Sequence, residues 1–382
     1  MDRKNLFLAL ACFGGALAFY IFGTPRQVPA PAAAPVPTAV TPANVPALTG
    51  SGALPGPAPA AAGTLDRAKA DREVLANEHL RVTFTTRGGA IEQVELLKEF
   101  ADTDRKEQVV FNRGNPDAAL TLVIENRATR AWEQVLGEFK VAAKTKDSLT
   151  LVGTLPDGGK VERTYALGAT AEPYSIRFTT RLLSPGAGVA APAFAQTLGS
   201  WHPTEGDKAN QFLSVLTHDG EDTVRTGVDL FHDSNGFLGL GARRAVPTVE
   251  LASAGKPYFW VASGNQFFAS IIHPLSVEAR GARSQVSIRP VAFPEGTEGL
   301  DGVASWATVV KPDLSTELTG DFFVGPKEYA RVSALPDNQV YVLQFSKLLG
   351  FIPFAAICKL LLACLGLPYL VLSATGPLLQ AW

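Results

Sequence analysis

Apolar and polar residues alternate along most of this chain in short runs separated by Gly, Pro, Asn and Asp. Leu80, Val82 and Phe84 sit at every second position, the period of a half-buried strand. Gly88-Gly89 then marks a turn before a second run, Ala90–Leu97. Further strands are predicted over Ala119–Glu125, Phe139–Ala143, Leu149–Gly153 and Lys160–Leu167. Asp157-Gly158-Gly159 between the last two is a hairpin signal. Tyr174, Ile176 and Phe178 share one face of Tyr174–Leu183. Later strands are predicted over Tyr258–Ala262, Phe267–Ile272, Gln285–Arg289, Ala304–Val310 and Ser315–Val324. Pro185–Gly255, rich in Gly, His and Asp, reads as long loops with a short helix. Strands at this density with few helices predict a mainly β protein, a large antiparallel β-sandwich, over residues 65–336.

The pattern changes within Asp321–Leu335. Phe322, Phe323 and Val324 close the last predicted strand, and Gly325-Pro326 is expected to break it, because proline lacks a backbone donor and fixes φ. From Lys327 the spacing turns helical, with Tyr329, Val332 and Leu335 on one side, until Pro336. Gly325, Pro326, Lys327, Glu328 and Tyr329 are therefore the candidate joint between the β-domain and the apolar tail. An ordinary strand-to-helix corner would carry the same signature.

Both ends are apolar. Leu6–Phe22 is an uncharged run of 17 residues, near the lower limit for a membrane-spanning helix. Its anchor residues are Leu6, Phe7, Leu8, Leu10, Phe13, Leu17, Phe19, Tyr20, Ile21 and Phe22. Arg3 and Lys4 precede it, which places the amino terminus in the cytoplasm and the body on the far side of the membrane. A cleaved signal peptide and a lipoprotein signal ending at Cys12 are the rival readings; run length favours an uncleaved anchor over residues 1–23. Residues 24–64 form a Pro/Ala/Gly tract whose only charge is Arg26, too poor in apolar period to fold, and read as a tether. In the tail, residues 337–382, Leu348–Leu365 is apolar apart from Lys359 and contains Pro353. Spanning would bury Lys359 at the bilayer centre. An interfacial amphipathic helix avoids this, with Phe354, Ile357, Leu361 and Leu365 in lipid and Lys359 at the headgroups.

Composition adds mostly exclusions. A formal charge of −2 gives no electrostatic reason to expect nucleic acid as a partner. The three cysteines, Cys12, Cys358 and Cys364, all lie in the apolar ends, so the body has no disulfide framework and no thiolate zinc site. The five histidines, His79, His202, His218, His232 and His273, lack metal-ligand spacing. Neither a nucleophile elbow nor a phosphate-binding loop appears, and Gly236–Arg244 lacks dinucleotide-loop spacing. No catalytic residue, metal or cofactor is expected. Tyr258, Phe259 and Trp260 with Phe267 and Phe268 fit either an aromatic sugar platform or packed core; at strand spacing the core is preferred.

Taken in order, several stretches resemble the YidC membrane protein insertases of bacteria with an outer membrane. They are MDRKNLFLALA at the start, RVTFTTRGGAIEQVELLKEF (Arg81–Phe100), KPYFWVASGNQFFASIIHP (Lys256–Pro274), FFVGPKEYARVSAL (Phe322–Leu335) and FIPFAAICKLLLACL (Phe351–Leu365). The resemblance implies a galactose-mutarotase-like β-supersandwich in the periplasm. It also implies a non-enzymatic role in membrane protein insertion and, as partners, the lipid bilayer, nascent membrane proteins and the Sec translocon. The family's insertase core, five later membrane helices with an arginine in their groove, has no counterpart after Leu365, so the chain is expected to be a truncated or frameshifted amino-terminal part. A membrane-tethered sugar-binding or sugar-modifying sandwich is the alternative function.

Overall fold

Strands β1 (Arg72–Ala76), β2 (Leu80–Thr85), β3 (Ala90–Phe100) and β4 (Gln108–Phe111) pair in sequence order as a four-stranded sheet. The computed structural model describes residues 70–344 except 103, 126–131, 156, 184–193, 208, 236–241, 254–256, 276–283 and 307–310. The expected anchor (6–22), tether and interfacial helix (354–365) lie outside the described residues.

The other strands are β5 (Leu122–Glu125), β6 (Trp132–Gln134), β7 (Lys140–Lys144), β8 (Ser148–Thr154), β9 (Lys160–Leu167), β10 (Ser175–Leu183), β11 (Phe194–Thr197), β12 (Ser214–His218), β13 (Thr223–Gly227), β14 (Val249–Ala252), β15 (Trp260–Gly264), β16 (Phe268–Pro274), β17 (Gln285–Ala292), β18 (Glu298–Ser305) and β19 (Thr316–Pro326). A nine-stranded sheet runs β13-β12-β15-β16-β19-β10-β9-β8-β7 and a six-stranded sheet runs β14-β17-β18-β11-β5-β6. Every pairing is antiparallel. One continuous core takes side chains from all three sheets, among them Phe84, Phe111, Phe178, Phe194, Trp260, Ile288 and Phe322, with Trp201 from the loop after β11. The fold is thus the expected mainly β, antiparallel supersandwich. At the edge of the large sheet β7 is exposed along its length and carries Lys140 and Lys144, charges that discourage pairing with another chain.

Alternation explains most strands directly. In β9 the buried positions are Val161, Arg163, Tyr165 and Leu167, so an arginine stands in the apolar row. Its Nη1 donates to the Gly88 carbonyl (3.2 Å), its Nη2 donates to the Leu120 carbonyl, and its guanidinium lies 5.5 Å from the Tyr165 ring. Tyr165 donates its hydroxyl to the Gly89 carbonyl (2.8 Å). Gly88 and Gly89 have φ of 73° and 58° and Leu120 has 58°. A turned backbone leaves its carbonyls unpaired by any ladder, and two side chains from β9 satisfy them.

Three expectations are corrected. Pro185–Gly255 holds, between its long loops, four strands that were not expected, β11, β12, β13 and β14, and among its described residues the expected short helix is a 3-10 turn at Val228–Phe231. The strand expected over Ala304–Val310 is β18, displaced towards the amino terminus. Gly325-Pro326 does not break β19 but forms its last two residues, Gly325 opposite Ala269 and Pro326 opposite Phe268.

Candidate functional site

β19 stands inside the large sheet between β16 and β10, and its last five residues, Phe322 to Pro326, are all buried. The ladder persists one step further, because the Lys327 amide donates to the Phe267 carbonyl (2.8 Å). Proline is tolerated at this strand end because no ladder bond there needs its missing N–H. Only then does a short helix, α1 (Tyr329–Val332), form, shorter than the expected run from Lys327 to Leu335. A 3-10 turn, Gln339–Leu343, comes next.

These elements are fastened to the domain by side chains. Arg331 pairs with Glu172 (2.7 Å) and with Glu328 (3.2 Å), and its guanidinium covers the Tyr174 ring at 4.5 Å. Tyr174 donates its hydroxyl to Glu99 (2.9 Å). Burial, then the bond to Glu99 and that carboxylate's charge, push the Tyr174 phenol far above its ordinary range. Trp260 donates to the Asp337 carbonyl (2.9 Å), and His273 meets the Asp337 carboxylate at 2.6 Å. Val332 and Val342 are fully buried. Asp337 and Asn338 are both left-handed, with φ of 52° and 57°, a costly conformation that these contacts hold in place.

A cavity of about 600 Å³ opens where the joint meets the loop between β15 and β16. Phe268, Pro326 and Leu343 supply apolar wall. Glu99, Arg225, Lys327 and Glu328 supply charge, and Phe212 and Phe267 stand at its edge, 42% and 55% exposed. Both exposed rings are set by local turns. Asn265 Oδ1 accepts from the amides of Phe267 (3.0 Å) and Phe268 (2.9 Å), an Asx turn that turns Phe267 outward. Buried Asp207 accepts from the amides of Gln211 and Phe212, each at 2.9 Å.

Lys327 Nζ donates to the Asn265 carbonyl (2.6 Å). Burial first, and the nearby positive charge of Arg225 second, push its ammonium down to about 8. The unfolded chain therefore holds this proton more tightly than the folded one. The cost to stability is complete below pH 8 and is relieved as pH rises towards the ordinary lysine range. Lys327→Met is expected to stabilise the fold at pH 7 by roughly 2 kcal/mol, at about 1.4 kcal/mol per pH unit less the lost bond to Asn265. Denaturant unfolding should show that gain at pH 7 and its disappearance near pH 10.5.

A second charged cluster is interior. Asp301 accepts from Asn115 (2.8 Å) and from the amides of Gly199 (3.0 Å) and Gly302 (2.6 Å), while Asp117 pairs with Arg289 (2.6 Å). Burial, with the charge of Asp117, raises the Asp301 carboxyl to about 6 against the bonds from Asn115 and Gly302 and the charge of Arg289. Its contribution to stability is complete below about pH 4 and is lost as pH rises through 6. A carbon-detected NMR titration should find its midpoint near 6, and Asp301→Asn should abolish that part of the pH dependence.

Of the candidate joint residues, Pro326, Lys327 and Glu328 line the cavity. Gly325 packs beneath Tyr174, and Tyr329 opens α1 half-buried. The alternative of an aromatic sugar platform loses its main member: Trp260 is fully buried and its indole N–H is engaged by Asp337. Tyr258 and Phe268 are likewise core, and Phe267 alone of that group is largely exposed. Arg225, Phe212 and Glu99 were not legible as site residues; the Asn265 turn was the one local signal for Phe267.

The arrangement defines a class: an antiparallel β-supersandwich whose inner strand runs without interruption into a fastened carboxy-terminal segment. The family model of the YidC periplasmic domain matches residues 72–353, and the chain belongs to that family. No curated protein matches the chain. Among solved structures it is similar to a putative aldose 1-epimerase from Escherichia coli K12, at 12% identity and a TM-score of 0.41 over 67% of this chain and 99% of that one. It is similar also to a galactose mutarotase related enzyme from Lactobacillus acidophilus, at 10% identity and a TM-score of 0.41 over 67% and 97% of the two chains. A galactose mutarotase-like protein from Lactobacillus casei gives the same identity and TM-score over 67% and 100%. Among the described residues no helix is long and apolar enough to cross a membrane.

Proposed function

We propose that the chain serves insertion and folding of inner-membrane proteins in the manner of the YidC insertases, as a membrane-mounted, non-enzymatic protein. The observation that carries this reading is the family match across residues 72–353. Its amino terminus lies in the cytoplasm behind Arg3 and Lys4, and the β-domain lies in the periplasm. The bilayer, nascent membrane proteins and the Sec translocon are its partners. The joint supports a mounting role, since Arg331, Trp260 and His273 fasten to the domain the segment that precedes the apolar tail in sequence. Topology is tested with Lys146→Cys, an exposed turn position, in a chain whose three cysteines are changed to serine. An impermeant thiol reagent should label it in intact spheroplasts; labelling only after lysis refutes the orientation. Function is tested by photocrosslinking from exposed positions of the domain in cells. Adducts with nascent inner-membrane proteins are expected, whereas saturable sugar binding or catalysed mutarotation without such adducts would establish the sugar-modifying alternative.

A further inference from the structure

We infer that the cavity at the joint is a docking site for the headgroup phosphate of an anionic phospholipid, occupied when the domain rests against the bilayer. The inference rests on the membrane-mounted reading and adds a ligand and a contact face to it.

Charge is the first argument. Arg225 and Lys327 both line the cavity. Arg225 donates to the Gln211 carbonyl (2.6 Å) and Lys327 to the Asn265 carbonyl. Among the described residues neither has an ion pair with a carboxylate. Of the two carboxylates that line the cavity, Glu328 pairs with Arg331, while Glu99 accepts the Tyr174 hydroxyl and keeps its charge. Two cations, exposed Arg225 and half-buried Lys327, therefore line one cavity without a carboxylate ion pair of their own among the described residues, an arrangement that an anion would stabilise.

The sequence points to the source of that anion. Residues 345–382 contain Lys347 and Lys359 and no Asp or Glu side chain. The segment that leaves the cavity adds positive charge and supplies no carboxylate side chain to neutralise it.

Position and shape point to lipid. Leu343 and Gln344 line the cavity, and the apolar run predicted to lie in the interface starts at Leu348. Four residues reach at most about 14 Å, so the cavity stands close to the level at which the chain meets the bilayer. Phe212 and Phe267 project beside the two cations, Phe267 held by the Asx turn at Asn265 and Phe212 by its amide bond to the Asp207 carboxylate. Exposed rings next to Lys and Arg suit the boundary between headgroups and acyl chains. A soluble anion would need the cations but not the exposed rings.

The experiment uses the full chain with Cys12, Cys358 and Cys364 changed to serine and an environment-sensitive fluorophore on Gln266→Cys. The protein is placed in nanodiscs of phosphatidylcholine, with or without phosphatidylglycerol, containing chain-brominated lipid as quencher. Quenching should require phosphatidylglycerol and fade in high salt. Arg225→Gln with Lys327→Gln should weaken the contact on the order of tenfold or more, at about 1 kcal/mol per cation near an anionic surface. Arg225→Lys with Lys327→Arg should retain it. Quenching that ignores both phosphatidylglycerol and the double glutamine variant overturns the inference and leaves membrane mounting intact. Failure of the chain to incorporate into nanodiscs at all would instead refute the mounting. Competition by inorganic phosphate would reassign the cavity to a free anion, and a fluorophore shielded without bromolipid quenching would reassign it to a protein partner; either overturns the lipid assignment. If the double variant does not fold, the lipid and salt comparisons on the unmutated pair still decide.

Discussion

Arg163→Ala is expected to destabilise the chain by about 3–5 kcal/mol, through two abandoned carbonyls and the cavity left in a close-packed core. The guanidinium is fully buried and its partners are carbonyls, those of Gly88 and Leu120. Burial accordingly pushes its pKa below the ordinary arginine value. Two effects compete at this position. Removing a buried charge relieves a desolvation penalty, while removing its donors strands carbonyls that belong to turned backbone. Arg163→Met separates them, because it keeps most of the volume and loses only the charge and the donors. A loss of about 1–2 kcal/mol for Met, smaller than that for Ala, is expected if the bonds outweigh the relieved charge. Denaturant unfolding followed by tryptophan fluorescence measures both. An alanine variant within about 0.5 kcal/mol of the parent, the size of an ordinary surface substitution, would show that these carbonyls find water or another donor.

The β-architecture was legible wherever one face is apolar and the other polar. β2, β8, β9 and β10 announce themselves by alternation, and the Asp157-Gly158-Gly159 turn announces the hairpin between β8 and β9. β12 did not, because its sequence, SVLTH, is buried at every position. A short strand whose polar side chains are buried with its apolar ones, such as Ser214, which accepts from Gln344, has no period to read. β18 was obscured by Gly299, Asp301 and Gly302. A Cβ on Gly299 would collide with Ser200 Oγ, and one on Gly302 would stand 2.7 Å from the Ser287 carbonyl. These glycines are required by close approach across the core, yet in sequence they read as turns. The joint is legible from its place ahead of an apolar tail, but the way it is built is not. Proline and glycine look like a break, whereas pairing with β16 carries the strand through them. The cavity was not legible, since Arg225 and Phe212 reach it only through the order of strands in the large sheet.

Gly325→Val is expected to cost about 3 kcal/mol, at the upper end of what overpacking a filled core produces, while its neighbour Pro326→Ala costs about 1 kcal/mol or less, acting largely through the unfolded chain. The contrast comes from the atoms each residue touches. A Cβ on Gly325 would lie 2.9 Å from Tyr174 Cγ, 3.0 Å from Tyr174 Cβ and 2.9 Å from Phe323 Cζ. Tyr174 has little room to withdraw: Glu99 holds its hydroxyl, Arg331 covers its ring, and His79 meets it edge-on at 5.1 Å. The strain is therefore expected to pass to Arg331 and α1, or to part β19 from β16 at Ala269. Thermal unfolding should separate the two variants, and backbone hydrogen exchange should locate the damage. Faster exchange at the amides of Val332 and Ser333, which bond to the Glu328 and Tyr329 carbonyls, would show strain passing into the joint. A Gly325→Val chain with parental stability would mean that Tyr174 does yield. In that event Arg331 could no longer be fixed over the ring, and the carboxy-terminal segment would not be held to the sandwich in the manner described.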